Sequence, residues 1–433
     1  MALIGHRTFV GFGFGAIQAG LFLYEAFRSG EFGRLVAGEV VPDVVNALRR
    51  NAGCYAVNVA HSDRVEAARV GPVQIENPAA PQDLERLVNA VAEAEEISTA
   101  VPSVRFYAGP EPGSIHRILA QGLRKKAAGG GPRAVVYAAE NHNHAAEILE
   151  AAVFDEIPPD EKPAVRERVR FLNTVIGKMS GVLSDADEIA TRHLAMVTPD
   201  SARAFLVEAF NRILISQVNF PPLPREPRFQ RGIAAFLEKE DLLPFEEAKL
   251  YGHNATHALA AYLCSLRGLG LIADLRQSPD LMAFIRVAFL EESGAALIRK
   301  HGGKDSLFTQ EGYREYADDL LERMTNPYLG DSAERVGRDP YRKLGWDDRL
   351  VGTLRLALQQ NVLPRRYAVG AAAALATLEP AFLKSNMPAR GLLAPLWGSE
   401  AMATTMAEDV LALIAEGRHR LQQWCDSGFS ILV

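Results

Sequence analysis

The sequence predicts an α/β domain over residues 1–195 followed by a mainly α-helical domain over residues 196–433. The first observation behind this fold class is a glycine-rich turn at residues 11–15, which joins a short apolar run to a helical pattern. The second is that further short apolar runs alternate with helical stretches through the first half of the chain. The third is the helical periodicity that dominates from about Ser201 onwards. A chain of 433 residues is long enough for two hydrophobic cores.

The composition is that of an ordinary globular protein and excludes several function classes. Apolar residues make up 48% of the chain and charged residues 23%, and the net charge of −6 includes no basic tract, so nucleic acid is not an expected partner. Cys54, Cys264 and Cys425 are too few and too far apart for a disulfide framework or a cysteine zinc site, which predicts a cytoplasmic protein. The composition leaves the oligomeric state open and is compatible with a monomer.

One apolar stretch, Phe9–Tyr24, has the hydrophobicity of a secretion signal. Four glycines and Gln18 interrupt it, the residues before it are barely basic, and no small-residue cleavage site follows. We therefore interpret it as a strand, a glycine turn and a helix, and we expect no membrane partner.

The glycine turn lies between a predicted strand, Thr8–Phe12, and a predicted helix, Ala16–Arg28. Glycines lack the Cβ atom that would keep a pyrophosphate away from the backbone, and the N-terminus of the helix offers free N–H groups to it. The spacing G-x-G-x-x-G is not met, because the third position holds an alanine or a glutamine, depending on which glycine is counted first. The turn alone is therefore weak support for dinucleotide binding.

Two further strand ends predict the same kind of site. A second predicted strand, Arg34–Gly38, is followed by Glu39, whose carboxylate can accept hydrogen bonds from both ribose hydroxyls of adenosine and would repel a 2′-phosphate. The alternative interpretation of Glu39 is an exposed loop glutamate. A third predicted strand, Ile97–Val101, ends where this class of fold places the nicotinamide. The candidate cofactor contacts at this third strand are Thr99, Ala100 and Val101.

A run of asparagine and histidine, residues 141–144, follows the predicted strand Ala134–Ala139. Two histidines at positions i and i+2 do not share a helix face, and no cysteine, histidine or carboxylate lies at a zinc-binding spacing from them. We therefore predict no metal site here.

The segment Leu242–Gly270 has the clearest helical pattern of the chain. Pro244 suits the first turn of a helix, where its missing N–H costs nothing, and Gly268 supplies the stop. Apolar residues at 259, 262, 263 and 266 form a stripe with helical spacing, which predicts that one face of the helix is buried.

Three polar residues of that helix, Lys249, Asn254 and His257, are candidate catalytic groups. In an unbroken α-helix Asn254 and His257 are neighbours, while Lys249 lies about 12 Å from His257 along the axis. The three side chains can then border one cleft but cannot form a compact triad. The alternative interpretation is structural, with a solvated lysine, a capping asparagine and a buried histidine that has its hydrogen-bond partners.

Three segments carry a resemblance to a known family. They are K-x4-N-x2-H from Lys249 to His257, EESGAALIRKHG from Glu291 to Gly302, and NPYLGDSAERVGRDPYRKL from Asn326 to Leu344. The sequence resembles the polyol-specific long-chain dehydrogenase/reductase family, and within it the mannitol-1-phosphate 5-dehydrogenase branch. The resemblance runs from about Phe9 to about Leu375.

The resemblance implies a Rossmann-type domain that binds NAD, followed by a helical substrate domain, and a reaction that needs no metal. It implies that Lys249 is the general acid/base, that Asn141 and Asn254 hold the reacting oxygen, and that His257 orients the oxygen or the lysine. The stretch GFGAIQAG resembles the family's cofactor turn, in which a third glycine is not required. The cofactor contacts implied there are Gly13, Phe14, Gly15, Ala16 and Ile17.

The chain departs from the family pattern at two places. Where the family has Val-Asp-Arg-Ile, this chain has Ile176, Gly177, Lys178 and Met179, so a carboxylate that faces the substrate is missing and Lys178 becomes a candidate substrate contact. The family pattern E-x-F-x-x-W lacks its tryptophan, because position 213 is an isoleucine. The departures affect the substrate rather than the reaction.

A cluster of cations within Glu334–Arg349 predicts that the substrate is phosphorylated. Arg335 and Lys343 match positions that line the family's substrate site, and Arg338 and Arg342 are the residues that would distinguish a phosphate from a free polyol. Acidic residues in the same stretch could instead neutralise these cations on the surface. The function predicted is interconversion of mannitol 1-phosphate and fructose 6-phosphate. The alternatives are a free-polyol or hexuronate oxidoreductase and a catalytically idle nucleotide-binding homologue.

Overall fold

The structure is a computed structural model that describes residues 5–222 and 228–430. The chain divides into two compact units, Met1–Leu242 and Leu243–Val433. The first unit is α/β and the second is helical, which confirms the predicted fold class. The predicted boundary at 195/196 is wrong, because strands beyond it belong to the sheets of the first unit.

The first unit alternates strands and helices for most of its length. Its strands are β1 (Arg7–Phe12), β2 (Phe32–Gly38), β3 (Tyr55–Ala60), β4 (Val65–Val70), β5 (Gln74–Glu76), β6 (Glu96–Thr99), β7 (Ala134–Ala138), β8 (Val169–Val175), β9 (Ser180–Leu183), β10 (Ala204–Glu208), β11 (Ile213–Ser216) and β12 (Phe236–Lys239). Its α-helices are α1 (Tyr24–Ser29), α2 (Pro42–Arg50), α3 (Pro81–Glu93), α4 (Ile115–Ala128), α5 (Ala145–Asp155), α6 (Lys162–Arg168) and α7 (Ala186–Thr191). A π-helical segment, Gln18–Leu23, leads into α1, and Val104–Phe106 forms a 3-10 turn.

Within the described residues these strands form an eight-stranded sheet, in the order β12-β11-β8-β7-β6-β1-β2-β5, and a four-stranded sheet, in the order β4-β3-β10-β9. The six strands from β8 to β5 in the larger sheet run parallel. If these six strands are numbered in chain order and read from β5 to β8, their spatial order is 3-2-1-4-5-6, which is the doubly wound Rossmann order. The strand order therefore reverses on either side of β1, and ligands bind at such a point in open α/β sheets.

The larger sheet is buried on both faces. Phe9 and Val135 belong to one hydrophobic cluster, and their chain neighbours Val10 and Val136 belong to another. Successive side chains of a strand point to opposite faces of the sheet, so the two clusters are the two faces. Burial on both faces explains why the strands are nearly continuous apolar runs.

The second unit is built from helices. They are α8 (Leu243–Glu247), α9 (Ala255–Arg267), α10 (Pro279–Val287), α11 (Ala295–His301), α12 (Gln310–Met324), α13 (Ala333–Gly337), α14 (Pro340–Lys343), α15 (Val351–Gln359), α16 (Arg365–Leu378), α17 (Ala389–Met402) and α18 (Thr405–Asp426). Two segments are π-helical, Ala248–Asn254 and Ala288–Gly294, and three are 3-10 turns, Ile272–Gln277, Ser306–Phe308 and Pro380–Leu383.

The alanine-rich helix α16 is the centre of the second unit. Helices α9 and α18 both pack against it. A Cβ atom on Gly370 would lie 2.8 Å from Leu259 of α9, and a Cβ atom on Gly417 of α18 would lie 2.5 Å from the backbone of Ala368. The small residues therefore let the three helix axes approach closely. Throughout residues 5–222 and 228–430, no helix combines the length and the apolarity needed to cross a bilayer.

Candidate functional site

The predicted cofactor residues gather at one edge of the larger sheet. Strands β1, β2, β6 and β7 end at Phe12, Gly38, Thr99 and Ala138, and all four run parallel. Their carboxyl ends therefore meet at the same edge, where the strand order reverses. Two backbone hydrogen bonds hold this edge together, from the N–H of Gly13 to the Gly38 carbonyl at 2.8 Å and from the N–H of Ala100 to the Phe12 carbonyl at 3.0 Å.

The glycine turn after β1 has the shape that a phosphate requires. Gly13 has a φ of +90°, and a Cβ atom there would lie 2.8 Å from the Ala100 carbonyl oxygen, so only glycine suits this position. A Cβ atom on Gly15 would meet no atom within 4 Å, and the helix begins at the next residue, Ala16. The turn thus leaves open space in front of the unpaired N–H groups of a helix N-terminus.

The other turn residues present their backbone rather than their side chains. Phe14 is buried, with its ring edge-on to Tyr55 at 5.0 Å between ring centroids, and Ala16 is buried too. Ile17 is half-buried and packs against the same core. Gly20 has the packing role that the missing third glycine would have, since a Cβ atom on it would lie 2.5 Å from Val207 of β10.

Glu39 follows β2 and is held in a fixed position. Its Oε1 atom accepts a hydrogen bond from the N–H of Val41 at 2.8 Å, and its own N–H donates to the Glu76 carbonyl at 2.9 Å. The residue is only 8% exposed, so the interpretation as an exposed loop glutamate is wrong. The second carboxylate oxygen is the atom with which Glu39 can accept a hydrogen bond from a ligand hydroxyl.

A buried carboxylate, Glu140, connects two predicted contact segments. It accepts hydrogen bonds from the hydroxyl of Thr99 at 2.9 Å, from the N–H of Val101 at 2.9 Å and from the hydroxyl of Tyr107. Burial raises the pKa of Glu140 above its usual value, and these hydrogen bonds oppose that shift. Glu140 therefore ties the end of β6 to the segment that carries Asn141, the next residue in the chain.

Asn141 itself lies on the surface of the first unit. The residues around it, 142–144, are exposed as well, and the N–H of His144 donates to Nδ1 of His142 at 3.1 Å. The two imidazoles are thus engaged in a local turn. Among the residues that the structure describes, no group of three or more histidine, cysteine or carboxylate side chains is placed to hold a metal ion.

The helix that carries Lys249 is not α-helical throughout. The segment Ala248–Asn254 is a π-helix, in which hydrogen bonds join residue i to residue i+5. Lys249 and Asn254 are therefore one turn apart on the same side, and His257 follows Asn254 by three residues in α9. The three groups share one face, which an unbroken α-helix would not allow for Lys249.

A tyrosine from another helix packs closely against the π turn. A Cβ atom on Gly252 would lie 2.6 Å from the Tyr313 hydroxyl and 3.0 Å from the Phe289 ring. The second π-helical segment ends at Gly294, where a Cβ atom would lie 2.7 Å from the same tyrosine ring. Both π segments thus present a glycine to Tyr313, and π turns are frequent at functional sites.

Two of the predicted residues interrupt the buried middle of this helix. Within Gly252–Cys264, Asn254 and His257 are the two residues that are not buried. Burial lowers the pKa of Lys249 to about 8, with a further contribution from Arg349, while Glu246 acts in the opposite direction. Burial also lowers the pKa of His257 to about 3, so the imidazole is neutral at neutral pH.

A buried hydroxyl network supports the helix from behind. The hydroxyl of Tyr367 in α16 lies 2.6 Å from the Thr256 hydroxyl and 3.1 Å from that of Ser293. Glu292 accepts hydrogen bonds from the N–H groups of Arg366 and Tyr367, at 2.9 and 3.1 Å, and so caps α16. Thr256, which directly precedes His257, is thereby hydrogen-bonded to α16.

The predicted substrate-binding cations differ in their surroundings. The guanidinium of Arg335 donates to Asp331, and the buried ammonium of Lys343 donates to the Arg338 carbonyl. Arg342 is exposed and pairs with Asp339 at 3.4 Å. Arg338 and Arg335 line a cleft of about 550 Å³ within the second unit, and neither Arg342 nor Lys343 does. Other residues that line this cleft are Tyr262, Ser265, Ser332 and Thr377.

Lys178 is buried, and its ammonium donates to the backbone carbonyls of Glu208 and Phe210, the latter at 2.8 Å. The N–H of Met179 donates to the Glu208 carboxylate. The two segments that depart from the family pattern therefore lie against each other. This geometry favours a structural role for Lys178 over a contact with substrate.

The sequence analysis did not identify Glu140 or Asp331 as site residues. Glu140 directly precedes Asn141 at a strand end, and Asp331 lies inside the segment Asn326–Leu344. The signal in the sequence that could have identified them is their position next to, or within, a segment that was already predicted to belong to the site. The hydrogen-bond partners of Glu140 are 33 to 41 residues away, and His257, which faces Asp331, is 74 residues away, which is why pattern alone did not select them.

Residues 7–223 match the family model "Mannitol dehydrogenase Rossmann domain", and residues 241–385 match "Mannitol dehydrogenase C-terminal domain". A mannitol-1-phosphate 5-dehydrogenase of Bacillus licheniformis is 29% identical over 341 residues, which cover 79% of this chain and 80% of that protein. These matches confirm the predicted family.

Two solved structures share the fold. A D-sorbitol dehydrogenase in substrate-free form has a TM-score of 0.74 at 14% identity, covering 98% of this chain and 94% of that one. Pseudomonas fluorescens mannitol 2-dehydrogenase, solved in a ternary complex with NAD and D-mannitol, has a TM-score of 0.68 at 15% identity, covering 98% of this chain and 93% of that one.

Proposed function

Because the chain belongs to the mannitol dehydrogenase family, we propose that it is an NAD-dependent, metal-independent dehydrogenase that interconverts a polyol phosphate and its ketose. Mannitol 1-phosphate and fructose 6-phosphate are the expected pair. The observation that carries the proposal is the single face shared by Lys249, Asn254 and His257, on which the lysine has a pKa of about 8. A lysine with an ordinary pKa would be a poor base at neutral pH.

The residues at the carboxyl edge of the larger sheet fit NAD. The open space at Gly15 and the helix N-terminus after it suit the pyrophosphate, and the buried carboxylate of Glu39 suits the adenosine ribose. Thr99 is the last residue of β6, the strand whose end borders a nicotinamide in this fold, and Ala100 and Val101 follow it. NAD, when bound, supplies the hydride acceptor of the oxidation and, when reduced, the hydride donor of the reverse reaction.

The protein's part in the reaction is proton transfer and stabilisation of charge. In the oxidation, deprotonated Lys249 removes the proton of the reacting hydroxyl, while the carbon loses its hydride. The amides of Asn141 and Asn254 donate hydrogen bonds to the alkoxide that develops. In the reduction, the Lys249 ammonium returns the proton to the oxygen. His257 is neutral at the pH of both reactions, so it orients groups without carrying charge.

A phosphate on the substrate is favoured by the charges of the second unit. Arg335 and Arg338 outnumber the one carboxylate, Glu334, in the lining of the cleft described above, and arginine pairs its N–H groups with phosphate oxygens. Gly177 removes the carboxylate that the family has there and that would repel an anion. The name of the Bacillus licheniformis relative agrees with this choice of substrate.

A free polyol is the second candidate substrate. The observation in its favour is that Arg342 does not line the cleft and forms an ion pair with Asp339 on the surface. Of the two arginines that were expected to distinguish the substrates, Arg338 is then the one to test.

The experiment compares NADH-linked turnover of mannitol 1-phosphate and fructose 6-phosphate with that of mannitol and fructose. We expect kcat/KM to be higher with the phosphorylated sugars by about tenfold or more, the size of one charge-assisted hydrogen bond. Arg338→Ala should remove most of that ratio, and Arg342→Ala is the matched control with a smaller effect. Equal rates with phosphorylated and free sugars would assign the protein to free polyols.

The three cysteines are free, which agrees with a reducing compartment such as the cytoplasm. We therefore keep the cytoplasm as the proposed location.

A further inference from the structure

Asp331 lies between two of the proposed substrate-site residues. Its Oδ2 atom is 3.6 Å from Nε2 of His257, and its Oδ1 atom accepts a hydrogen bond from the guanidinium of Arg335. Asp331 is 4% exposed, so it does not reach solvent as these partners do. Among the described residues, neither Oδ2 of Asp331 nor Nε2 of His257 has a hydrogen-bond partner, and the two atoms face each other.

The backbone around Asp331 is fixed to the end of the helix that carries His257. Ile272 donates its N–H to the Asp331 carbonyl at 2.9 Å, and Ala333 donates its N–H to the Gly270 carbonyl at 2.9 Å. Ser332 then caps α13 by accepting from the N–H of Arg335 at 3.1 Å. The position of the carboxylate relative to His257 is therefore set by several backbone hydrogen bonds.

The chemistry of the two groups decides where the imidazole proton lies. A carboxylate can only accept hydrogen bonds, and a neutral imidazole carries one N–H and one lone pair. The nitrogen that faces Asp331 must therefore be the N–H, because two lone pairs in a buried position would repel each other. Burial and the cations Arg335 and Arg349 keep His257 neutral, and they outweigh the attraction of the Asp331 carboxylate for a second proton.

The separation of 3.6 Å exceeds the ordinary N–H···O range of about 2.7–3.2 Å. Two buried polar atoms without partners are unfavourable, and a shift of less than 1 Å would satisfy both. Catalytic hydrogen bonds are often long before substrate binds and shorten in the complex. The distance between Nε2 of His257 and Oδ2 of Asp331 can thus shorten to a hydrogen bond when substrate binds Arg335 or His257.

We propose that Asp331 is a positioning residue that holds His257 as its Nε2–H tautomer and, through the same carboxylate, holds Arg335. The consequence for catalysis rests on the proposed function. With Nε2 engaged by Asp331, Nδ1 of His257 keeps its lone pair and accepts a hydrogen bond, either from a substrate hydroxyl or from the Lys249 ammonium.

The first experiment measures the tautomer without any substrate. In the full-length protein labelled with ¹⁵N-histidine, long-range ¹H–¹⁵N spectra distinguish a protonated nitrogen from one with a lone pair, and the His257→Gln variant assigns the signals. We expect protonated Nε2 and unprotonated Nδ1 at neutral pH. Protonation at Nδ1, or both nitrogens protonated, would overturn the proposal whatever the protein catalyses.

The second experiment is a double-mutant cycle on NADH-linked turnover, with Asp331→Ala, His257→Gln and the double variant. Asp331→Ala should lower kcat/KM about tenfold to a hundredfold, the effect of losing one hydrogen bond to a charged group. In the His257→Gln background the same change should lower kcat much less, because Asp331 acts on kcat through His257, while the rise in KM from the lost Arg335 pair should remain. Additive effects on kcat would overturn the proposal.

Two further variants separate positioning from folding. Asp331→Asn keeps an oxygen that can accept from Nε2–H, so it should recover part of the kcat lost in Asp331→Ala while KM stays raised, because the Arg335 ion pair is gone. Asp318→Asn, which removes an exposed ion pair with Arg286 (2.7 Å) in the same unit, is the matched control and should leave activity unchanged. If the wild type turns over no polyol, the proposed function fails, and the tautomer measurement still decides the role of Asp331.

Discussion

At the scale of single residues, Lys249 is the group on which the proposed reaction depends most. Lys249→Ala removes the acid/base and should lower kcat by about a hundredfold or more, while NADH binding is retained. Turnover is measured at saturating cofactor, and NADH binding by fluorescence titration. Lys300→Ala is the matched control, since Lys300 lies at the surface in an ion pair with Glu247 (2.7 Å) and should be dispensable. A Lys249→Ala variant with near-normal kcat would remove the lysine from the mechanism.

The lowered pKa of Lys249 predicts opposite pH dependences for the two directions. Oxidation needs the neutral amine, so its kcat should rise as the pH increases through about 8. Reduction needs the ammonium, so its kcat should fall over the same range. His257, with a pKa of about 3, stays neutral throughout and adds no step. The measurement is kcat against pH in both directions, and parallel rather than opposed curves would contradict the assignment.

Glu39 is the residue that we propose selects NAD over NADP. Glu39→Ser removes the carboxylate proposed to accept from the ribose and to repel a 2′-phosphate, so kcat/KM should fall with NAD and rise with NADP. The preference for NAD should narrow by about tenfold or more, as for one hydrogen bond to a charged group. Glu93→Ser, at an exposed carboxylate paired with Arg34, is the control. A wild type that prefers NADP would show that Glu39 has another role.

At the scale of elements, the sequence predicted helix ends and turns correctly where the pattern that specifies them is local. Pro244 and Gly268 predicted the two ends of the helix, and Gly268 indeed adopts a left-handed conformation with φ of +77°. The π turn could not be predicted from a local pattern, and the residue that packs against its glycine, Tyr313, is 61 residues from Gly252. The same holds for Asp331, whose partner His257 lies 74 residues earlier.

The strands β10, β11 and β12 were missed for a related reason. Each has only four or five residues, and β10 and β11 pair with strands that lie earlier in the chain, such as β3 with β10. Short apolar runs cannot be assigned to strand or helix by periodicity. The glycine turn, by contrast, was predicted because its constraint is local, as the φ of +90° at Gly13 shows.

The π turn itself can be tested at Gly252. In Gly252→Ala the new methyl group would lie 2.6 Å from the Tyr313 hydroxyl, so the helix or the tyrosine must move, at a cost of about 1–3 kcal/mol. We expect a lower Tm and a lower kcat, because the displacement changes the spacing of Lys249 and Asn254. Gly270→Ala is the matched control, since a Cβ atom there would meet nothing within 4 Å. Unchanged Tm and kcat in Gly252→Ala would mean that the turn does not depend on this contact.

At the scale of the whole molecule, the proposed cofactor residues belong to the first unit and the proposed base belongs to the second. Each unit has its own core, so the two should fold independently. The two units meet in sequence at Leu242/Leu243. This point lies close to the start of the second family match, which covers residues 241–385, whereas the first match covers residues 7–223. We therefore expect NADH binding to be separable from turnover.

The position of the boundary gives the last prediction. A fragment of residues 1–242 should fold and bind NADH, but it should not turn over a polyol because it lacks Lys249. A fragment ending at residue 195 should not fold, because it loses buried residues of the core on one face of the large sheet. The lost core residues are Val197, Phe205, Val207, Ile213, Ile215, Ile233 and Phe236. Thermal unfolding and NADH fluorescence of both fragments are the measurements. A cooperative transition and normal NADH binding in the shorter fragment would place the boundary back near residue 195.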